Sequence, residues 1–107
     1  ILMRKKMKKK QSFRSLVNGE KPVLVDFHAT WCGPCKMLSP IIEEVAGDLS
    51  GQIKVIKIDV DRNQRLSQKL AIRGVPTMVL YKKGKIVWRQ SGLLTAVQIK
   101  QAVEPFI

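Results

Sequence analysis

Val23-Leu24-Val25-Asp26-Phe27-His28-Ala29-Thr30-Trp31-Cys32-Gly33-Pro34-Cys35-Lys36-Met37-Leu38 is the stretch on which the reading of the whole chain turns. Its first six residues form an apolar run interrupted only by Asp26, which predicts a buried strand. Apolar residues then recur at Met37, Leu38, Ile41, Ile42, Val45, Ala46 and Leu49, the spacing of one helical face, which predicts a helix from Pro34 to Leu49. Pro34 suits a first helical turn, where a missing N–H costs nothing. Pro40 lies inside the helix, removes one backbone bond and predicts a kink. The two cysteines, the only ones among 107 residues, sit where the strand hands over to the helix.

That placement has chemical consequences. A helix N-terminus carries unpaired N–H groups and partial positive charge, and both favour a thiolate over a thiol. Cys32 is expected at an exposed tip, with Cys35 one turn later and facing inward. Thiols this close can join in a disulfide. In exchange chemistry the outer sulfur attacks a partner's disulfide, and the inner one displaces the partner from the mixed disulfide. A structural zinc site needs about four ligands. The chain offers two Cys and one His, so zinc would require a site shared across a dimer. A purely structural disulfide would close too short a loop to constrain the unfolded chain much. The spacing therefore favours a redox pair.

Working outward, the length allows one domain with a real core. No stretch approaches the roughly 20 apolar residues of a membrane span. Residues 1–10 carry six of the 20 basic residues and no acid. Such a block repels itself and reads as a solvated arm. It resembles the charged start of a signal peptide, but no apolar segment follows in Gln11-Ser12-Phe13-Arg14. It also fits the basic flank of an anchor lying upstream, or residues added in cloning, since the chain opens on Ile. Membrane contact by this arm is the minor reading. Without the block, 14 basic residues stand against eight acidic ones, a net charge of +6. The body should meet acidic partners faster. Specific nucleic-acid binding is not expected, because no aromatic residues are interleaved with the charges.

Ser12 to Asn18 is a short helix candidate, stopped by Asn18-Gly19. Ile53 to Asp59 reads as a second strand, and the strand–helix–strand unit should be parallel and right-handed. Asp59-Val60-Asp61-Arg62-Asn63 opens like a calcium loop but fails at Gln64 and Leu70, where Gly and Glu are required. It reads instead as a strand end, with Asp61 or Asn63 capping a helix to about Ile72, and Gly74 as a stop. Val75-Pro76-Thr77 opens the strand Met78–Tyr81, and a basic turn, Lys82 to Lys85, returns the chain antiparallel through Ile86–Arg89. Trans is the commoner isomer before Pro76. Thr95 and Gln98 form a capping box for a last helix, with Ile99, Ala102, Val103 and Phe106 inward. Two polar residues carry two readings each, and a third, Lys57, reads as a snorkelling side chain. Asp26, in a buried strand, is either a hydrogen-bonded structural acid or a proton acceptor for Cys35. His28 either fills space or tunes the cysteines.

Asp26-Phe27, Trp31-Cys32-Gly33-Pro34-Cys35-Lys36, Gly74-Val75-Pro76-Thr77 and Gly92 together resemble the thioredoxin family in order and spacing, from about Ser12 to the C-terminus. The resemblance implies an α/β fold, a central mixed β-sheet flanked by helices on both faces. The domain would span 12–107, with 1–11 as a basic arm. The family usually begins with a strand there, and this arm is a poor strand candidate. The resemblance further implies a cis bond before Pro76, Asp26 as the inner proton acceptor with Lys57 beside it, and a docking surface of Trp31, Gly33, Pro34, Val60, Gly74, Val75, Pro76 and Gly92. His28 departs from the family, which usually has an aromatic there, and Ser91 stands where an apolar residue is common.

The implied function is reduction of disulfide-containing protein substrates, Cys32 attacking and Cys35 resolving. No Gly-rich dinucleotide fingerprint is present, so no cofactor is expected and electrons would come from thioredoxin reductase. A cytoplasmic monomer is the expectation. One rival keeps the chemistry and reverses it: an extracytoplasmic oxidase or isomerase, periplasmic or membrane-anchored, if an upstream segment is missing. Gly33-Pro34, the pair of the reducing members, argues against it. The other rival is a non-enzymatic binding subunit.

Overall fold

A computed structural model describes residues 12–107; the basic arm expected at 1–11 lies outside them. In chain order the elements are α1 (Phe13–Val17), β1 (Val23–His28), α2 (Gly33–Asp48), β2 (Lys54–Asp59), α3 (Gln64–Lys69), β3 (Thr77–Lys82), β4 (Lys85–Ser91) and α4 (Ala96–Val103). A 3-10 turn, Glu104–Phe106, closes the chain.

The four strands form one mixed sheet in the order β2-β1-β3-β4. The apolar β1 lies inside it, parallel to β2 and antiparallel to β3, and β4 pairs antiparallel with β3. In β1 and β3 every residue but the last is buried, as expected for strands covered on both faces. Successive side chains alternate between those faces. Leu24, Met78 and Leu80 pack with Leu38, Ile42 and Val45 of α2 and with Ile99 and Val103 of α4. On the opposite face Val23, Val25, Phe27, Val79 and Tyr81 meet α1 and α3, through Val17, Phe13, Leu66 and Leu70. Full burial of each large side chain contributes about 1.5–3 kcal/mol, so these two clusters hold the helices to the sheet. Asp26 falls on the α2 face, with Lys57 as its register partner in β2 and Met78 in β3.

Three local expectations are corrected. Neither Asp61 nor Asn63 caps α3 with its side chain: Asn63 Nδ2 donates to the Asp59 carbonyl at 2.9 Å, and the Asp61 carboxylate accepts a bond from Trp31. Next, α3 stops at Lys69 rather than near Ile72. Ala71 takes a left-handed conformation (φ 55°), and the Arg89 guanidinium holds the Leu70 and Ala71 carbonyls at 2.6 and 2.7 Å. The turn after β3 is also tighter than expected. Only Lys83 and Gly84 lie between the strands, both with positive φ, 53° and 80°, the geometry that matches the twist of a hairpin. A Cβ on Gly84 would sit 2.8 Å from Asn18 Oδ1.

The capping box of α4 is present: the Thr95 hydroxyl accepts from the Gln98 N–H at 3.1 Å, and Gln98 Oε1 accepts from the Thr95 N–H at 2.9 Å. Pro40 lies inside α2 as expected.

Candidate active site

The site forms where β1 ends and α2 begins. Cys32 is the N-cap of α2, and its Sγ accepts the Cys35 backbone N–H at 3.1 Å. This sulfur thus receives one of the unpaired N–H groups at the positive end of a helix, the setting that stabilises a thiolate. Cys32 and Cys35 are joined in a disulfide, with Cα atoms 5.3 Å apart.

Cys32 is not the exposed tip that its position suggests. It is 3% exposed and Cys35 5%. Both sulfurs pack with Ala29 against Val60 and Val75, and Cys32 Sγ lies 3.7 Å from the Val75 carbonyl oxygen. Gly33 and Pro34 form the exposed tip instead, and Lys36 follows in solvent.

The loop before β3 faces the disulfide. The Val75–Pro76 bond is cis, the isomer that the resemblance implies. The Pro76 carbonyl accepts the Gly92 N–H at 2.9 Å. Gly92 has φ 99°, a conformation open mainly to glycine. Ser91 is exposed, but its hydroxyl lies 2.9 Å from Thr77 Oγ1, which donates to the Gly74 carbonyl at 2.7 Å. Beside Cys32, Trp31, Val60, Ile72, Arg73, Gly74 and Val75 line a shallow groove of about 120 Å³. Trp31 is 69% exposed. Its indole Nε1 donates to Asp61 Oδ2 at 2.8 Å, which fixes how the ring stands over the groove.

Under Cys35 lies a second hollow of about 170 Å³, bordered by Asp26, His28, Lys36, Ser39 and Lys57 among others. Asp26 is 2% exposed, and its Oδ1 has no hydrogen-bond partner among the described residues. Burial pushes its carboxyl above the ordinary value, while positive charge from His28, and then from Lys57, pulls it back. Lys57 is Asp26's neighbour in register, but its ammonium turns to α2. It donates to Ser39 Oγ at 2.9 Å and sits 3.7 Å from Glu43 Oε2.

The structure thus gathers Trp31, Cys32, Val60, Gly74 and Val75 around the outer sulfur, with Pro76 and Gly92 next to them. Asp26 and Lys57 lie under the inner sulfur. Sequence reasoning missed Asp61, Ser39, Ile72 and Arg73. No local pattern signals the first two, which act through side chains 30 and 18 residues away. Ile72 and Arg73 adjoin the quoted Gly74-Val75-Pro76-Thr77 string, and that adjacency was the available signal.

A family model described as thioredoxin matches residues 4–105. A thioredoxin-like protein of Synechocystis sp. is 46% identical over 92 residues, covering 86% of this chain and 88% of that protein. A thioredoxin of Haemophilus influenzae is 39% identical over 92 residues, 86% of each. A chloroplastic thioredoxin Y of Oryza sativa is 44% identical over 100 residues; the match takes in 90% of this chain and 60% of that longer protein.

Proposed function

The chain belongs to the thioredoxin family and is a thiol-disulfide oxidoreductase that reduces protein disulfides; on that premise we propose how its residues divide the work. The observation that carries the proposal is the Cys32–Cys35 disulfide at the N-terminus of α2, facing the backbone of Val75.

In the reduced protein Cys32 is the attacking thiolate, stabilised by the Cys35 N–H and the helix end. Its sulfur bonds to one sulfur of the substrate disulfide, and the other substrate sulfur leaves as a thiolate that takes up a proton. Cys35 then gives its proton to the Asp26 carboxylate and attacks Cys32 Sγ. The Cys32–Cys35 bond forms, the mixed disulfide breaks, and the second substrate sulfur leaves as a thiolate. Two electrons pass from the dithiol to the substrate. Asp26 is suited to the proton because burial raises its affinity for one. Lys57, held by Ser39 and Glu43, supplies positive charge beside it.

Trp31, Gly33, Pro34, Val60, Gly74, Val75, Pro76 and Gly92 make the docking surface, where an extended substrate segment pairs with the Val75 backbone as an added strand. Residues 12–107 are the working domain, and 1–11 a basic arm. The protein acts as a cytoplasmic monomer and electron carrier, reloaded by thioredoxin reductase. The open groove beside Trp31 and the reducing-type Gly33-Pro34 pair support this reading.

The test is the reduction potential of the Cys32–Cys35 couple, by equilibration with glutathione and thiol counting. A value well below the cytosolic glutathione poise is expected. A value near that of oxidising or isomerising relatives overturns the cytoplasmic reductant and restores the extracytoplasmic rival. In parallel, Cys35→Ser should accumulate a mixed disulfide with substrate through Cys32, whereas Cys32→Ser should form none.

A further inference from the structure

His28 borders the inner hollow, and the division of work assigns it nothing. It ends β1 two residues after Asp26, so both side chains project from the same face of the sheet, toward α2. It is half-buried and borders the same hollow of about 170 Å³ under Cys35. Among the described residues its imidazole has no hydrogen-bond partner and makes no ion pair.

The other charged and titratable groups around it come from each neighbouring element. On β1 there is Asp26 itself. On β2 there are Lys57, opposite Asp26, and Asp59, opposite His28. Asp59 Oδ1 accepts the Asp61 backbone N–H at 2.9 Å. On α2 there are Cys35, Lys36 and Glu43, the last paired with Lys57. From β3 the register partner of Asp26 is the uncharged Met78. Lys57 thus shares its charge with Glu43 and turns its ammonium toward Ser39, which leaves Asp26 Oδ1 without a partner there. His28, at the adjacent same-face position, makes no ion pair among the described residues, although Asp59 lies opposite it in register.

We propose that His28 is a positioning residue for the resolving step: its charge in the hollow, more than that of Lys57, governs when Asp26 can take the proton of Cys35. The proposal rests on Asp26 as that proton's acceptor. With His28 positive, the carboxylate is held ready to receive the proton. Without it, burial keeps Asp26 protonated to higher pH, and resolution of the mixed disulfide slows near neutrality.

The test follows Asp26 by carboxyl-carbon NMR across pH, and the release of substrate from a preformed Cys32 mixed disulfide by stopped flow. Both are run on the parent chain and on His28→Phe, His28→Gln and His28→Lys; Gln serves if Phe does not fold. In the uncharged variants the Asp26 midpoint should rise by roughly half a pH unit or more. The pH profile of release should move up with it, and His28→Lys should restore both. A midpoint and profile unmoved in His28→Phe and His28→Gln overturn the proposal and leave His28 as a space filler. Asp26→Asn separates the two ideas. If it leaves the release profile intact, the acceptor role of Asp26 fails and takes the proposal with it. If it flattens the profile while the His28 variants do not move it, only the role of His28 fails.

Discussion

Asp26 is a carboxyl with no partner among the described residues for its buried Oδ1, and burial raises its proton affinity. A folded state that binds the proton more tightly than the unfolded chain loses stability as pH rises through the unfolded value, about 3.9, and carries the full penalty above the folded one. Asp26→Ala should therefore be more stable than the parent at pH 8, where an unpaired buried polar group costs about 1–3 kcal/mol. Urea unfolding of the oxidised proteins should show that gain disappear below about pH 4. A variant less stable than the parent at pH 8 would contradict it. Asp61 makes the second residue-level prediction. Losing its bond to Trp31 Nε1, worth about 0.5–1.5 kcal/mol, should free the indole. Asp61→Ala should raise KM for a protein disulfide a few-fold and leave the rate of a small-molecule disulfide unchanged. The cysteine pair was legible in the sequence because its chemistry is carried by adjacent residues. The role of Asp61 was not, because it depends on a side chain 30 positions earlier. The burial of Cys32 was hidden for the same reason: Val60 and Val75, which cover it, arrive from other elements.

Arg89 shows how one element completes another. It stands on β4, yet its guanidinium holds two carbonyls at the C-terminal end of α3, a helix of only six residues. A helix so short is marginal alone, and a cation at that end is favourable. Arg89→Ala should cost about 1–2 kcal/mol. Hydrogen exchange should quicken across residues 63–75 more than in α2. Exchange quickened evenly over the molecule would refute the local role. This clamp is why α3 ends at Lys69 while the apolar pattern runs on past it. Apolar Leu66, Leu70 and Ile72 continue the pattern, but Arg89 and the left-handed Ala71 end the helix from outside it. The elements read well were those whose signals are self-contained: the apolar β1, the periodic α2 and the Thr95–Gln98 box.

At the scale of the molecule, charge and topology govern encounter. Eight acidic residues face 20 basic ones. Among the described residues ion pairs engage Glu43, Glu20 and Asp48, so most cations there are not neutralised by contact. Exposed charges are screened beyond about 10 Å at 0.1 M salt. For a disulfide flanked by acidic residues, kcat/KM should fall several-fold as salt is raised; for one flanked by basic residues it should rise. Equal salt response for the two would remove charge from substrate choice. The fold class was legible because the strand–helix–strand unit is local. Where β3 inserts was implied only by resemblance, since its pairing with β1 joins Phe27 to Thr77, 50 residues on. That pairing also sets a schedule. A ribosome delivers Cys35 about 40 residues before Val75 and Pro76. Until β3 docks beside β1, the nascent chain holds a thiol pair without the Val75–Pro76 backbone that we propose to receive the substrate. On that proposal, reactivity is translated first, and discrimination is added only when the second half of the sheet closes.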